Sequence, residues 1–496
     1  MSGKPEFNPA YTDGYADEKG PIEDPDLDSR ERRKSSSVFD NIPEETRRES
    51  IVKIHDLVAV DAEHEISYRT MSWQKAAWLL CGEQVCLAIM AQSWSLSVLG
   101  WGAGLATMFG SAILFYFTSL TMHRFIMKYP QIKDFCDFAY YACGKSRIAY
   151  ECVGVMLLLN NVMLIGFHIF TGAKVLNTLS DHSQCTVVFQ IIVTLMGIVL
   201  SIPRTLKHVS FMSMFSASAM AIAILLFMIF AGIEDHPGYG YHHSWPKDGY
   251  HVYTLAAPQS GITWVNAMNA VLNITFLWVP QLLFPTFISE MERPQDFPKA
   301  LTVLAAVSGF LFIVPPAVGY VYLGQYSTAP AFGSLSSDAY RKGSFAFVIV
   351  PTLIIGVIYA NVSAKYVYFR ILGSSRHSHS NTLVGWGTWM AVVIPIWIIG
   401  WIFAEVIPSM GDFLSLLGAA FDSWFGFLFF AIAYYEMFRG QMFSGAVRSA
   451  KTAFHVLVLC VGLFLLGPGL YAACEAIIVD YASTTATAFS CADVQI

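Results

Sequence analysis

Charge is what this sequence lacks. Only 13% of its 496 residues are Asp, Glu, Lys or Arg, against roughly 25% in a soluble domain. By contrast 55% are hydrophobic and the mean hydropathy is +0.50. A chain this apolar, cut into blocks by polar punctuation, is an integral membrane protein. That excludes a cytosolic enzyme, a secreted domain and a nucleic-acid binder, and the net charge of −6 argues against a polyanionic partner. Catalytic signatures are missing as well. There is no His-Glu-x-x-His, no nucleophile elbow and no phosphate-cradling glycine loop, so no enzymatic activity is expected. A channel's repeated pore segment is absent too. The nine cysteines show no CxxC or Cys/His ligand spacing, so neither a metal nor a cofactor is expected. Cys81, Cys86, Cys152 and Cys460 fall inside apolar blocks and read as small core residues. The basic start and apolar run of a cleaved signal peptide are also missing.

The charge that is present gathers at one end. Residues 1–70 hold 17 acids and 10 bases with few periodic apolar positions, which predicts a disordered tail. Within it, Arg32-Arg33-Lys34-Ser35 has the pattern of a basophilic kinase site, although a solvated tail is the plainer reading. Residues 71–477 form the membrane domain, and residues 478–496 a short C-terminal tail.

A hydrocarbon core about 30 Å thick needs roughly 20 apolar residues of helix. Blocks of that kind lie near Ala76–Val98, Gly102–Met122, Ala149–Thr171, Thr186–Ile202, Val209–Ile233 and Ile262–Ile288. Five more lie near Leu301–Tyr322, Phe345–Phe369, Val384–Phe403, Phe413–Tyr435 and Phe454–Ile477. The first pair is divided only by Leu99-Gly100-Trp101. With eleven spans and the N-terminus in the cytosol, 26 of the 30 Lys and Arg fall on the inner side and 4 on the outer. The positive-inside rule therefore orients the chain with a cytosolic N-terminus and a non-cytosolic C-terminal tail. The Asn-x-Ser/Thr triplets at Asn273 and Asn361 then lie inside spans, out of reach of glycosylation. The longest outer loop, Glu234–Leu255, carries His236, His242, His243 and His251. No Cys or carboxylate stands at ligand spacing, so a solvated loop is favoured over a metal site.

Helix breakers and buried polar groups interrupt the spans, as transporters require to free backbone groups at mid-membrane. In the sixth span, Pro280 lacks an N–H for the carbonyl of Phe276, and Pro285 does the same to Gln281. Two freed carbonyls about a turn apart, with Gln281 between the prolines, favour a site for a substrate ammonium over the alternative, a simple kink closed by neighbours. In the first span Glu83 stands between Gly82 and Gln84. An acid at mid-bilayer costs about 2.5–3.5 kcal/mol even on translocon scales, so it is partnered, protonated or facing water. Glu83 is therefore a candidate proton carrier, with a fixed interhelical hydrogen bond as the alternative. Asp422 in the tenth span raises the same question. Asn160, Asn161 and His168 in the third span, with Asn361 and Ser363 in the eighth, are candidates to line the same cavity, His168 more plainly as one interhelical contact.

Several stretches together resemble the amino acid/auxin permease family. Ser201-Ile202-Pro203-Arg204-Thr205-Leu206-Lys207-His208-Val209-Ser210 is similar to that family's inner turn between helices four and five. Phe284-Pro285-Thr286-Phe287-Ile288-Ser289-Glu290-Met291, with the following Arg293–Leu301 segment, is similar to its sixth-helix exit. Thr70-Met71-Ser72-Trp73 resembles the lead into helix one, and Tyr359–Tyr366 the eighth helix of fungal neutral amino acid permeases. The resemblance covers roughly residues 70–476. It implies an all-α membrane protein with a LeuT-like fold, two inverted repeats of five helices plus an eleventh. It also implies secondary transport of amino acids, in fungal members driven by H⁺ rather than Na⁺. The implied substrate site lies at the broken middles of helices one and six, falling on Gly82, Ala88, Ala91 and Gln92 and on Phe276, Leu277, Trp278, Pro280 and Gln281. Trp94 and Trp278 would wall the side-chain pocket. The sequence departs from the family here: Leu87–Ser93 has neither Gly nor Pro, and the Cβ of Ala88 limits backbone approach and excludes φ > 0. The resulting expectation is a neutral amino acid and H⁺ symporter of the plasma membrane. A vacuolar permease of the same fold and a nutrient sensor without transport are the alternatives.

Overall fold

The computed structural model describes residues 69, 71–204, 209–238, 251–372, 375, 382–483 and 488–491. The Arg32–Ser35 run, the rest of the tail before Arg69, and His242 and His243 lie outside the described residues, as do Thr205 to His208. What is described is helical. A two-residue parallel bridge, Met71 with Met291, is its only β pairing.

In chain order the α-helices are α1 (Trp73–Gln84), α2 (Gln92–Lys128), α3 (Phe135–Ala142), α4 (Arg147–Ser180), α5 (Thr186–Leu200) and α6 (Val209–Ile233). Next come α7 (Trp264–Leu277), α8 (Phe284–Glu290), α9 (Phe297–Leu323), α10 (Asp338–Ala346), α11 (Ile349–Leu372) and α12 (Leu383–Val406). The last are α13 (Met410–Leu417), α14 (Phe429–Met437), α15 (Ala446–Phe464) and α16 (Leu470–Ser483). Among the described residues, nine helical stretches are long and apolar enough to cross a bilayer, and α5, at 15 residues, is a shorter apolar helix. The outer surface is correspondingly oily: Leu195 is 57% exposed and Val199 61%. This explains one departure from the sequence reading. Cys152 and Cys460 are exposed rather than core residues, because apolar side chains in a bilayer face lipid as readily as each other. A second departure is that α16 continues past residue 477, to Ser483.

The first two spans meet within α2, which is kinked at Gly100. Its φ of 72° and ψ of 172° are not helical, and its Cβ, if present, would lie 2.7 Å from the Ala257 carbonyl carbon. The freed amides of Trp101 and Gly102 donate to the carbonyls of Leu255 and Ala256, at 2.9 and 2.8 Å.

Two other breaks fall in mid-span. Between α1 and α2 the chain unwinds at Val85 (φ −82°, ψ 80°) and Cys86 (φ −124°, ψ 168°), then makes a 3₁₀ turn over Leu87–Ala91. These dihedrals explain how the helix opens without Gly or Pro: the break uses only negative φ, which any L-residue adopts. The expected penalty at Ala88 therefore does not arise. Between α7 and α8 the chain leaves the helix at Trp278, passes through Val279 (φ −126°, ψ 54°) and makes a 3₁₀ turn over Pro280–Leu282. The Phe276 carbonyl accepts from the Val279 amide at 3.4 Å, so Pro280 opens a new turn rather than orphaning that oxygen within a continuous helix. The two breaks are tied together. The buried Gln92 side-chain amide donates to the carbonyls of Ala88 (3.2 Å) and Asn273 (2.9 Å). At one end of the same two helices, Met71 and Glu292 exchange backbone bonds with Glu290 and Met71, at 3.1 and 3.0 Å.

Gly100→Ala is expected to lower the melting temperature in detergent, because it combines left-handed strain of about 1–3 kcal/mol with a backbone clash. Gly110→Ala in the same helix, whose Cβ would meet nothing within 4 Å, is expected to leave it unchanged or raised. Gln92→Leu keeps the side chain's bulk but removes the donor, at a cost of about 1–3 kcal/mol. Hydrogen exchange at Val85–Ala91 should quicken in that variant. Unchanged exchange there would show that Gln92 does not hold the break.

Candidate functional site

The two mid-span breaks face one cavity of about 80 Å³ near the centre of the helix bundle. From the first break come Glu83, Gln84, Cys86 and Ala88; from the second, Phe276, Leu277, Val279 and Pro280. Helix α4 supplies Asn160, Leu164, Phe167 and His168, and α11 supplies Ile355 and Tyr359. Asp422 completes the wall from a π-helical segment, Gly418–Leu428, between α13 and α14. The wider turn of a π-helix shifts side chains off the α-helical register, a device concentrated at functional sites.

The polar content is unusual for a membrane interior. Glu83 and Asp422 each present a buried carboxylate oxygen, Oε2 and Oδ2, without a hydrogen-bond partner. Both lie within electrostatic reach of the Tyr359 hydroxyl, whose ring stacks at 6.3 Å on His168. The Cys86 sulfur sits against the backbone N–H groups of Ala88 and Ile89, which open the 3₁₀ turn. The Ile89 amide also donates to the Cys86 carbonyl at 3.3 Å, and of the two residues Ala88 lines the cavity. The wall thus combines the backbone at Ala88, the C-terminus of α7 at Leu277 and two carboxylates. Among the described residues no cluster of His, Cys, Asp and Glu is arranged to hold a metal.

The structure brings together part of the set expected from sequence. Glu83, Ala88, Phe276, Leu277, Pro280, Asp422, Asn160 and His168 line the cavity. Gly82 and Ala91 are buried beside the first break without lining it. Gln92 serves as the bridge between the breaks. Gln281 points the other way and donates to the Thr118 hydroxyl at 3.3 Å. Trp278 packs between Phe115 and Phe312, with ring centroids 5.7 and 5.0 Å apart, and Trp94 packs on the core; neither walls the cavity. Once the helix unwinds before Pro280, the faces of the following residues no longer follow α-helical spacing. Asn161, Asn361 and Ser363 are buried outside the lining, Asn161 accepting from the Asn160 amide at 3.5 Å. Sequence reasoning missed Cys86, Tyr359 and Phe167 as wall residues. Part of that was readable: Asn160, Leu164, Phe167 and His168 recur at helical spacing, as do Ile355 and Tyr359.

Comparison with known proteins shows the family. The family model described as transmembrane amino acid transporter protein matches residues 69–475. A transmembrane transporter of Gibberella moniliformis is 29% identical over 433 residues, covering 86% of this chain and 89% of that protein. The N amino acid transport system protein of Neurospora crassa is 26% identical over 421 residues, covering 84% of this chain and 87% of that protein. Among solved structures, Mhp1, a nucleobase-cation-symport-1 family transporter in a closed conformation with bromovinylhydantoin bound, aligns with a TM-score of 0.48 at 14% identity. That alignment covers 84% of this chain and 92% of Mhp1. With the family match running from the first helix to the last, the chain belongs to the transmembrane amino acid transporter family.

Proposed function

We propose that this protein is a secondary active transporter that carries a neutral amino acid, or a close derivative, together with a proton. The observation that carries this reading is the meeting of two broken helices at one small cavity lined by two residues with unpartnered carboxylate oxygens. The Neurospora relative's description as an amino acid transport system protein points to the same substrate class. In this reading the backbone of the first break at Ala88 receives the substrate carboxylate, and the negative end of α7, at Phe276 and Leu277, receives the ammonium. At about 80 Å³ the cavity is smaller than the roughly 300–1,000 Å³ of a typical ligand pocket, so the helices must part to admit substrate. Movement of α1 with α8, which the Met71–Met291 bridge joins, is the natural way to open it.

The wider architecture proposed is eleven crossings, with helices one to five and six to ten as LeuT-like inverted repeats and the N-terminus in the cytosol. The disulfide between Cys185, at the start of α5, and Cys491, beyond α16, supports that orientation. Disulfides persist in oxidising compartments, which puts both cysteines on the non-cytosolic side, as the Lys and Arg distribution also does. The plasma membrane is the proposed location. A tag at Met1 is then shielded in intact cells while one after Ile496 is reachable from outside; finding both on one side would remove the eleven-span arrangement.

Glu83 is the proposed proton carrier. Glu83→Gln keeps the shape and a hydrogen-bond donor while remaining neutral. Reconstituted Glu83→Gln protein is expected to exchange amino acid across the membrane but to lose uphill accumulation driven by a pH gradient. Accumulation per folded transporter at the wild-type level would reject Glu83 and move the role to Asp422 or His168.

A further inference from the structure

The central cavity carries a charge imbalance that a neutral substrate and one proton do not resolve. Two acids line it, Glu83 at the end of α1 and Asp422 on the π-helical segment, and among the described residues no Lys or Arg does. Asp422 is only 7% exposed, and its Oδ2, like Oε2 of Glu83, is buried without a hydrogen-bond partner. The other ionisable side chains of the wall are Cys86, His168 and Tyr359. The Tyr359 hydroxyl lies within electrostatic reach of Glu83, Cys86 and Asp422, and its ring stacks on His168 with centroids 6.3 Å apart. The next cations along the walls are committed elsewhere. Lys174 stands beyond His168 on α4, about 9 Å farther along the axis. It lies over the Phe170 ring at 4.8 Å, close to Asp412 and Asp480. Lys365, beyond Tyr359 on α11, lies close to Glu290.

Two negative charges cannot be shut together inside a membrane protein, so each acid takes a proton or a cation when the helices close. A proton on Glu83 answers for the first. Asp422 comes from a different element than Ala88 and the end of α7, which receive the substrate's α-carboxylate and α-ammonium in the transport reading, so it is left for the substrate's side chain. Most of the remaining wall is apolar, with Leu164, Leu282, Leu283 and Ile355. An apolar wall with one uncommitted carboxylate fits an aliphatic stem that ends in an ammonium, and the aromatic Phe167 and Tyr359 suit such a cation as well. A bare metal ion fits less well, because the described residues hold no cluster of ligands for one.

We propose, on the transport reading given under Proposed function, that the same site also carries amino acids with a basic side chain and that Asp422 is the residue that admits them. With a neutral substrate, Asp422 keeps a proton of its own throughout the cycle, and Glu83 alone delivers the coupled one. With a basic substrate, Asp422 releases its proton on the side of entry, holds the side-chain ammonium instead, and takes a proton back on the side of exit. A neutral amino acid thus enters with one proton. A basic one enters with a proton on Glu83 while another returns on Asp422, so no net proton moves. One positive charge crosses in either cycle.

The test reconstitutes the full-length chain in proteoliposomes and follows labelled norleucine and lysine, which share a carbon skeleton and differ by the terminal ammonium. Two driving forces are applied separately: a pH difference of one unit at zero membrane potential, and an inside-negative potential at equal pH. One coupled proton supports about tenfold accumulation per pH unit. Norleucine should approach that value under the pH difference, whereas lysine should stay level with the outside. Under the potential both should accumulate. In Asp422→Asn the KM for lysine relative to that for norleucine should rise about tenfold. Asp422→Glu, which keeps the charge, should restore the wild-type ratio. The wild-type comparison needs no variant, so the test stands if Asp422→Asn does not fold. Three results would overturn the proposal: no lysine uptake by a wild type that accumulates norleucine, lysine accumulation driven by the pH difference, or an unchanged KM ratio in folded Asp422→Asn. The first would assign the balancing charge to His168. A wild type that moves norleucine under neither force gives a different result, which removes the transport reading itself and this proposal with it.

Discussion

Inside hydrocarbon no water is available to replace a lost backbone hydrogen bond, so a helix can open only where protein atoms take over the partners it gives up. That constraint organises this molecule. Its three mid-chain interruptions each come with a substitute. At Gly100 the amides turn to the carbonyls of the loop before α7. At the first substrate-side break, Gln92 reaches back to Ala88 and across to Asn273. At the second, 3₁₀ bonds at Trp278, Val279 and Leu283 absorb what the α-helix releases. The buried glutamine is the joint between the two broken helices, and the geometry of the cavity follows from it.

The cavity itself combines rigid and movable parts. Helices α4 and α11 pack closely and present Asn160, His168 and Tyr359 from continuous helix. The groups from the two breaks sit on the end of the short α1, the end of α7 and the two 3₁₀ turns. Short pieces joined by non-helical residues can rotate with few bonds changed, whereas α4 can move only as a whole. The bridge at Met71 and Met291 makes α1 and α8 move together at one end. Such an arrangement suits alternating access around a fixed centre. It also leaves Glu83 on the short α1 and Asp422 on the π-helical segment between α13 and α14.

Much of the fold was legible because membrane insertion writes coarse rules into composition. Apolar blocks and the division at Gly100 are read by counting. The two broken regions were legible from Pro280 and from Glu83, whose polarity is out of place in a span. The mode of breaking was not. The first helix opens through Val85 and Cys86, residues with no breaking tendency of their own, because Gln92 and neighbouring helices supply the bonds. Cys185 and Cys491 were equally silent, being 306 residues apart, with only folding to join them.

The sequence by itself determined that this chain lives in a membrane and which family it belongs to, since those follow from local composition and motifs. Only the tertiary structure decided which polar residues share a space. It turned Trp278 and Gln281 away from the cavity and Cys86, Phe167 and Tyr359 toward it. The physical reason is rotational phase. Within one unbroken helix, spacing in sequence fixes the face a side chain occupies; across an unwound or π-helical turn that relation is lost, and packing against neighbouring helices sets the new one.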